Sequence, residues 1–308
     1  MSKILVVGSF VMDNVAEMDS FPDAGETVLG KSLHLYPGGK GINQCIAAAR
    51  LGGDVEMAGM LGKDSNSEVF REVLKEEGIA FDNVFSCDLP TGVAQVQTDG
   101  TGQNRICVIP SANHAFDFSC LDGIDGSLRR AEFVLLQLEL RTDVMEELIR
   151  RAHSYGVKVL LNPAPAFPLG RNTLKQVDVL LPNETELSFL SGKKVRGETA
   201  EDSARRLLDI GVGCVVATLG NKGALIADKA GCRRVPGFRV KAVDTVAAGD
   251  SFCGAFAVAL SEGVDMDSAV RFANGMGALT VQTKGAIPSL RTRAELEAFL
   301  KREEENNL

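Results

Sequence analysis

The sequence predicts an α/β protein of three layers, a mostly parallel central sheet with helices on both faces, and a small β-sheet lid at one edge. Three observations carry that expectation. Strand-like apolar runs alternate with amphipathic helical stretches along most of the chain, the order that builds a parallel sheet through crossover helices. The strands FVLLQL and VDVLLP are continuously apolar, as strands buried on both faces are. Residues 12–37 and 91–109 break the rhythm with period-two alternation and glycine turns, and neither carries a helix.

Taken in order, KILVVGS opens the chain as a strand and INQCIAAARLG follows as a helix. DVEMAGMLG reads as a strand and NSEVFREVLKEEG as a helix with one apolar face. Later, EFVLLQLE and VKVLLNP are strands on either side of the helix VMEELIRRAHSYG, ATLGNKGALI is strand, glycine turn and strand, and CGAFAVAL is a buried helix. The two interrupting segments are expected to form a flap whose half-apolar face needs cover, from substrate or from a second copy of itself. Strands end on the polar residues Glu139, Asn162 and Asn183. Open α/β sheets bind ligands just beyond the strand C-termini, which is where a site is expected.

With 308 residues, 45% apolar and 24% charged, the chain can bury a sizeable core in one large domain or two smaller ones. A formal net charge of -8 and the lack of a Lys/Arg cluster argue against nucleic acid or a membrane surface as partner. The apolar N-terminal stretch ends too soon, at Gly8 and Asp13, to be a signal peptide, so a cytoplasmic location is expected. Cys45, Cys87, Cys107, Cys120, Cys214, Cys232 and Cys253 show no paired spacing and read as reduced thiols. His34, His114 and His153 stand alone and read as solvated or core side chains rather than ligands.

Three stretches carry chemistry. In DTVAAGDSF, residues 244–252, Asp250 stands just inside a buried helix behind Ala247, Ala248 and Gly249. One reading is an N-cap; the other is a proton acceptor beside an anion site, since free amides and the helix dipole favour a phosphate there while small side chains let it approach. PGGKGINQ, residues 37–44, is neither a Walker A loop nor a dinucleotide fingerprint, yet its glycines, Lys40 and Asn43 present amides and polar groups at a helix opening. LPNETEL places Asn183 at a strand end with Glu184 and Glu186 in the next helical turn. This is a good cap by itself, and alternatively a set of oxygen ligands for a hydrated Mg²⁺.

Nearly the whole chain resembles the ribokinase-like, or PfkB-type, carbohydrate kinases. VVGSFVMD, GGKGINQ, LQLE, LNPAPA, PNETE, TLGNKG, VPGFRVKAVDTVAAGDSF and TKGAIPS occur in that family's order, and within it the chain is most similar to ribokinases. The resemblance implies the ribokinase-like fold as a single kinase domain over residues 1–308, with the lid over about 12–37 and 91–109. It also implies phosphorylation by ATP of the terminal hydroxyl of a pentose, ribose before others.

What it implies for residues is specific. Asp250 is the base that takes the hydroxyl proton, and the amides of Ala247, Ala248 and Gly249 form the anion hole. Asp13, Gly39, Lys40, Asn43 and Glu139 hold the sugar. Asn183 and Glu186 organise Mg²⁺, Glu186 through water, and Thr218, Gly220, Gly223, Val243 and Asn274 line the nucleotide with Ala248 and Gly249. A monovalent cation, K⁺, is implied beside Asp244 and Ser289 with Val246, Thr280, Thr283 and Gly285 around it, acting by fixing the loop that forms the hole. A homodimer through the lid is expected.

One position departs from the pattern. Where ribokinases carry Asn two residues before the aspartate, this chain has Val11, an apolar residue as in related deoxyribokinases. Losing a hydrogen-bond donor weakens discrimination for the hydroxylated sugar by about 1–3 kcal/mol; alternatively the Val simply completes a strand end. The two lid segments carry Asp13, Glu17, Asp19, Asp23 and Glu26 against Lys31 and Arg105, so a neutral sugar fits better than a sugar phosphate. A nucleoside kinase and a non-catalytic sugar sensor on the same scaffold are the other readings.

Overall fold

The computed structural model describes residues 3–192 and 199–306. Strands β1 (Ile4–Val7), β2 (Val11–Glu17) and β3 (Ser32–Gly38) lead into helix α1 (Lys40–Arg50), followed by β4 (Val55–Leu61), α2 (Ser65–Glu76), β5 (Ala80–Ser86), β6 (Gly92–Thr98) and β7 (Asn104–Ile109). Next come α3 (Phe118–Arg130), β8 (Phe133–Leu136), α4 (Thr142–Tyr155), β9 (Lys158–Leu161), the short α5 (Arg171–Leu174), β10 (Val179–Leu180), α6 (Glu184–Ser191) and α7 (Thr199–Ile210). The chain ends with β11 (Cys214–Thr218), β12 (Ala224–Asp228), β13 (Gly231–Val235), α8 (Ala248–Ser261), α9 (Met266–Thr280) and α10 (Arg293–Asn306).

The large sheet has nine strands in the order β13-β12-β11-β10-β9-β8-β1-β4-β5. It is parallel from β11 to β5, and only β12 is reversed, pairing antiparallel with β11 and with β13. All four residues of β1 are buried. Their alternation sends Ile4 and Val6 into one apolar cluster and Leu5 and Val7 into the other, which is how a fully buried strand serves two helix layers at once. The first layer draws on α1, α2, α8, α9 and α10 through residues such as Ile46, Phe70, Phe256, Met276 and Phe299. The second draws on α3, α4, α6 and α7 through Ile124, Leu148, Leu187 and Leu207.

The apolar run VDVLLP yields only the two ladder residues Val179 and Leu180; Leu181 donates once more to Leu161, and Pro182, which has no amide hydrogen, interrupts the ladder before a single bridge between Asn183 and Thr218. From β1 the chain winds outward to β4 and β5 on one side, then returns to place β8, β9, β10 and β11 on the other. The reversal lies between β1 and β8, so the crevice beyond their C-terminal ends is the natural place for a ligand.

The small sheet has the order β3-β2-β6-β7. Its strands fall within the two segments the sequence set apart, beginning one residue earlier at Val11 and ending one later at Gly38. Leu33, Leu35, Ile106 and Val108 stand exposed on its outer strands, at 66%, 57%, 58% and 48%.

Candidate active site

Asp250 sits in the first turn of α8, 7% exposed, and does not cap it. The N-cap position belongs to Ala247, in a left-handed conformation with φ 59 and no side-chain cap. A non-glycine residue there costs about 1–2 kcal/mol. The carboxylate of Asp250 turns instead to α1: Oδ2 accepts from Asn43 Nδ2 at 3.0 Å and Oδ1 from Gln44 Nε2 at 3.1 Å. That geometry decides against the capping alternative. Among the described residues, the amides of Ala247, Gly249 and Asp250 have no hydrogen-bond partner, while that of Ala248 reaches the carbonyl of Thr245 at 3.3 Å. A Cβ built on Gly249 would meet nothing within 4 Å. The helix mouth is thus open and donor-rich, as an anion site must be.

Helix α1 is brought to the same place by close backbone approach. A Cβ on Gly41 would lie 2.3 Å from the Ser9 amide nitrogen, so only glycine lets the helix start against the end of β1. Gly39, at φ 105, takes the left-handed turn before it and offers no cap of its own. The missing acceptor comes from the segment just past β8: Glu139 Oε2 accepts from the Lys40 amide at 3.0 Å and from the Ser9 hydroxyl.

Lys40 then projects among acids. Burial works to lower its pKa, but the charges of Asp250, Glu139 and Glu186 outweigh burial and hold it above its ordinary value, so it stays cationic. Asp13 is pushed up to about 6, chiefly by burial and next by the charge of Glu139. The Oδ1 of Asn43 is buried without a partner. Such an atom calls for a donor, which a ligand hydroxyl can supply. Val11 and Asp13 are alternate residues of β2 and share one strand face. Val11 is 4% exposed yet joins neither apolar cluster, whereas its neighbours Phe10 and Met12 pack into the first.

Asn183 and Glu186 close a capping box on α6: Glu186 accepts from the Asn183 backbone at 2.8 Å and from its side chain at 2.9 Å, while Asn183 accepts from the Glu186 amide at 2.9 Å. Glu186 is buried, and desolvation ahead of the nearby Asp250 raises its carboxyl above the ordinary value. Among the described residues no group of three or more His, Cys, Asp or Glu is placed to hold a metal ion.

Beside the mouth of α8 lies a cavity of about 370 Å³. Thr218, Gly220, Gly223, Ala248, Gly249 and Asn274, all named from the sequence, line it together, and Phe238, Val240 and Phe252 supply apolar walls. Asn274 spends its amide nitrogen on the carbonyls of Val235 and Pro236, at 3.3 and 3.2 Å. Val243 does not line the cavity. It is 64% exposed, because its amide is drawn to the carbonyl of Val281 and the wall falls to Ala242 and Thr245 on either side.

Of the residues named for a cation, Asp244 accepts from the Gly285 amide at 2.9 Å and the Val246 amide at 3.1 Å. The Thr280 carbonyl accepts from the Thr283 amide, the Thr280 hydroxyl donates to that of Ser251 at 2.9 Å and so ties α9 to α8, and the Ser289 hydroxyl donates to the Ala286 carbonyl. The Thr283 hydroxyl accepts from Arg291.

The description "pfkB family carbohydrate kinase" matches residues 1–293. The chain belongs to that family. Among curated relatives, the ribokinase of Bacillus subtilis is 38% identical over 306 residues, covering 97% of this chain and 100% of the relative. The deoxyribokinase of Salmonella typhi is 33% identical over 300 residues, covering 96% and 98%. Among solved structures, Arabidopsis thaliana ribokinase complexed with ribose and ATP matches with a TM-score of 0.92 at 33% identity, covering 97% of this chain and 99% of that one.

A carbohydrate kinase of this family moves a phosphoryl group from ATP to a sugar hydroxyl, and the site has the parts for it. A carboxylate, a cation and free amides converge at the mouth of α8, beside the cavity of about 370 Å³. Positioning and charge neutralisation supply most of the rate in such transfers. Gln44, Ser9 and Gln137 belong to this site too and were missed. Their signal was a polar side chain inside an apolar stretch, as in INQCIAAAR and LLQLE.

Proposed function

We propose that the chain is a ribose kinase, converting ATP and ribose to ADP and ribose 5-phosphate. One observation carries the proposal: Asp250 is buried at a helix N-terminus, faces Lys40, and is not used as a cap. In this reading Asp250 accepts the proton of the terminal hydroxyl as that oxygen attacks the γ-phosphorus, and the amides of Ala247 and Gly249, with Ala248, receive the charge that develops. Asp13, Asn43, Lys40 and Glu139, with the backbone of Gly39, hold the sugar; the orphaned Asn43 Oδ1 supports this. The cavity lined by Thr218, Gly220, Gly223 and Asn274 receives the nucleotide.

Bound Mg²⁺ would neutralise phosphate charge, held by the phosphates and through water by Glu186, which suits a cation that takes oxygen ligands and keeps part of its hydration. A bound K⁺ would stiffen the loop that makes the anion hole, next to Asp244 and Ser289 and the backbone of Val246, Thr280, Thr283 and Gly285. The exposed apolar residues of the lid suit a homodimer formed through it. Seven free thiols suit a reducing compartment, and we place the protein in the cytoplasm.

A second reading, 2-deoxyribose as substrate, is favoured by Val11, an apolar side chain beside Asp13 on the strand face that Asp13 shares. ADP release measured with ribose, 2-deoxyribose, fructose and adenosine, with and without K⁺, tests both. Turnover of ribose with K⁺ activation is expected. Sugar binding without any turnover would make the protein a sensor instead.

A further inference from the structure

We infer that Gln44 is a positioning residue for Asp250, and that Gln137 holds Gln44 in its working orientation. This rests on the reading of Asp250 as the base. The Nε2 of Gln44 donates to Asp250 Oδ1 at 3.1 Å and to Asn162 Oδ1 at 3.2 Å. Gln137 Nε2 donates in turn to Gln44 Oε1 at 2.7 Å. These side chains come from α1, from the segment just past β8, from the end of β9 and from α8, and all are buried.

The amides can point only one way. Asp250 is an acceptor, so the face of Gln44 turned to it must be the NH₂. Asn162 donates its own nitrogen to the carbonyl of Leu181 at 2.8 Å, so it too presents oxygen to Gln44. The carbonyl of Gln44 is therefore directed at Gln137, which must answer with its NH₂. The cost falls on Gln137 Oε1, buried with no partner, over Gly8 where a Cβ would lie 2.1 Å away. A buried acceptor left unsatisfied is a place where structure has yielded to another demand. Here the demand is the orientation of the carboxylate two links along. Gln44 pins Oδ1 toward the interior and leaves Oδ2, beside Asn43, to face the sugar.

Two variants test this: Gln137→Met, which keeps the volume and removes the donor, and Gln44→Leu, which removes the bond to Asp250. In both, ribose affinity by calorimetry should stay within about threefold while kcat falls on the order of tenfold to a hundredfold, the scale of a small misplacement of a reacting group. Lys40 from α1, Glu186 from α6 and Cys253 on α8 itself are the titratable groups facing Asp250, and neither variant changes them.

Asp250→Asn separates the two ideas. If it retains turnover, the base assignment fails; if it is inactive while both glutamine variants keep the kcat of the parent, the positioning role fails alone. Should Gln44→Leu melt below the assay temperature, Gln137→Met decides by the same kcat and affinity criterion.

Discussion

The side-chain amide of Asn43 donates to Asp250 Oδ2 at 3.0 Å, joining residues 207 positions apart. Its other end, Oδ1, is buried and unpartnered. One side chain therefore touches both the proposed sugar site and the proposed base. Asn43→Ala should raise KM for ribose and lower kcat together. A hydrogen bond to a charged group is worth about 1.5–3 kcal/mol, so kcat/KM should fall by roughly tenfold to a hundredfold. A change in KM alone would confine Asn43 to binding.

Val11 shares a strand face with Asp13 and is buried without joining either core cluster. Val11→Asn should shift the ratio of kcat/KM for ribose over 2-deoxyribose toward ribose, by about tenfold or more if the new amide meets the 2-hydroxyl. An unchanged ratio would remove Val11 from specificity.

Asp13 is pushed up to about 6 from an ordinary 3.8, first by burial and then by Glu139. A carboxyl raised on folding adds stability that is complete below its unfolded value and is lost as pH rises through about 6. Asp13→Asn, neutral at every pH, should therefore melt higher than the parent at pH 7.5, and the gap should narrow at pH 4.5. Sugar binding should weaken in the same variant. Such an exchange of function for stability is common where an active site holds a desolvated charge.

Gly249 leaves open space where a Cβ would sit. Gly249→Ala should fold as well as the parent or slightly better, by up to about 1 kcal/mol, because alanine is the better helix former. Turnover should drop at least tenfold as the methyl occupies the room kept for phosphate. Full activity in this variant would mean that the γ-phosphate lies elsewhere.

The fold was legible because burial leaves a mark on sequence. The run ILVV of β1 and FVLL of β8 could only be strands covered on both faces, and the period-two lid segments stood out against them. The motif residues were legible wherever glycine or a lone charge sat at an element end, as at Gly39, Lys40 and Asp250. What was not legible depends on contacts between distant segments. Gln44 and Gln137 act on each other across 93 positions, and nothing local to either says which way an amide points. The exposure of Val243 was equally hidden, since the stretch from 236 to 247 has no helix or strand and so no periodicity to read.

The base assignment is tested most directly by Asp250→Asn, with ADP release and ribose affinity measured on the same folded preparation. General-base catalysis contributes about a hundredfold to ten-thousandfold. The expected result is ribose bound nearly as by the parent, with kcat lower by at least the smaller of those factors. Turnover at the parent's rate from a variant that still binds ribose would contradict it.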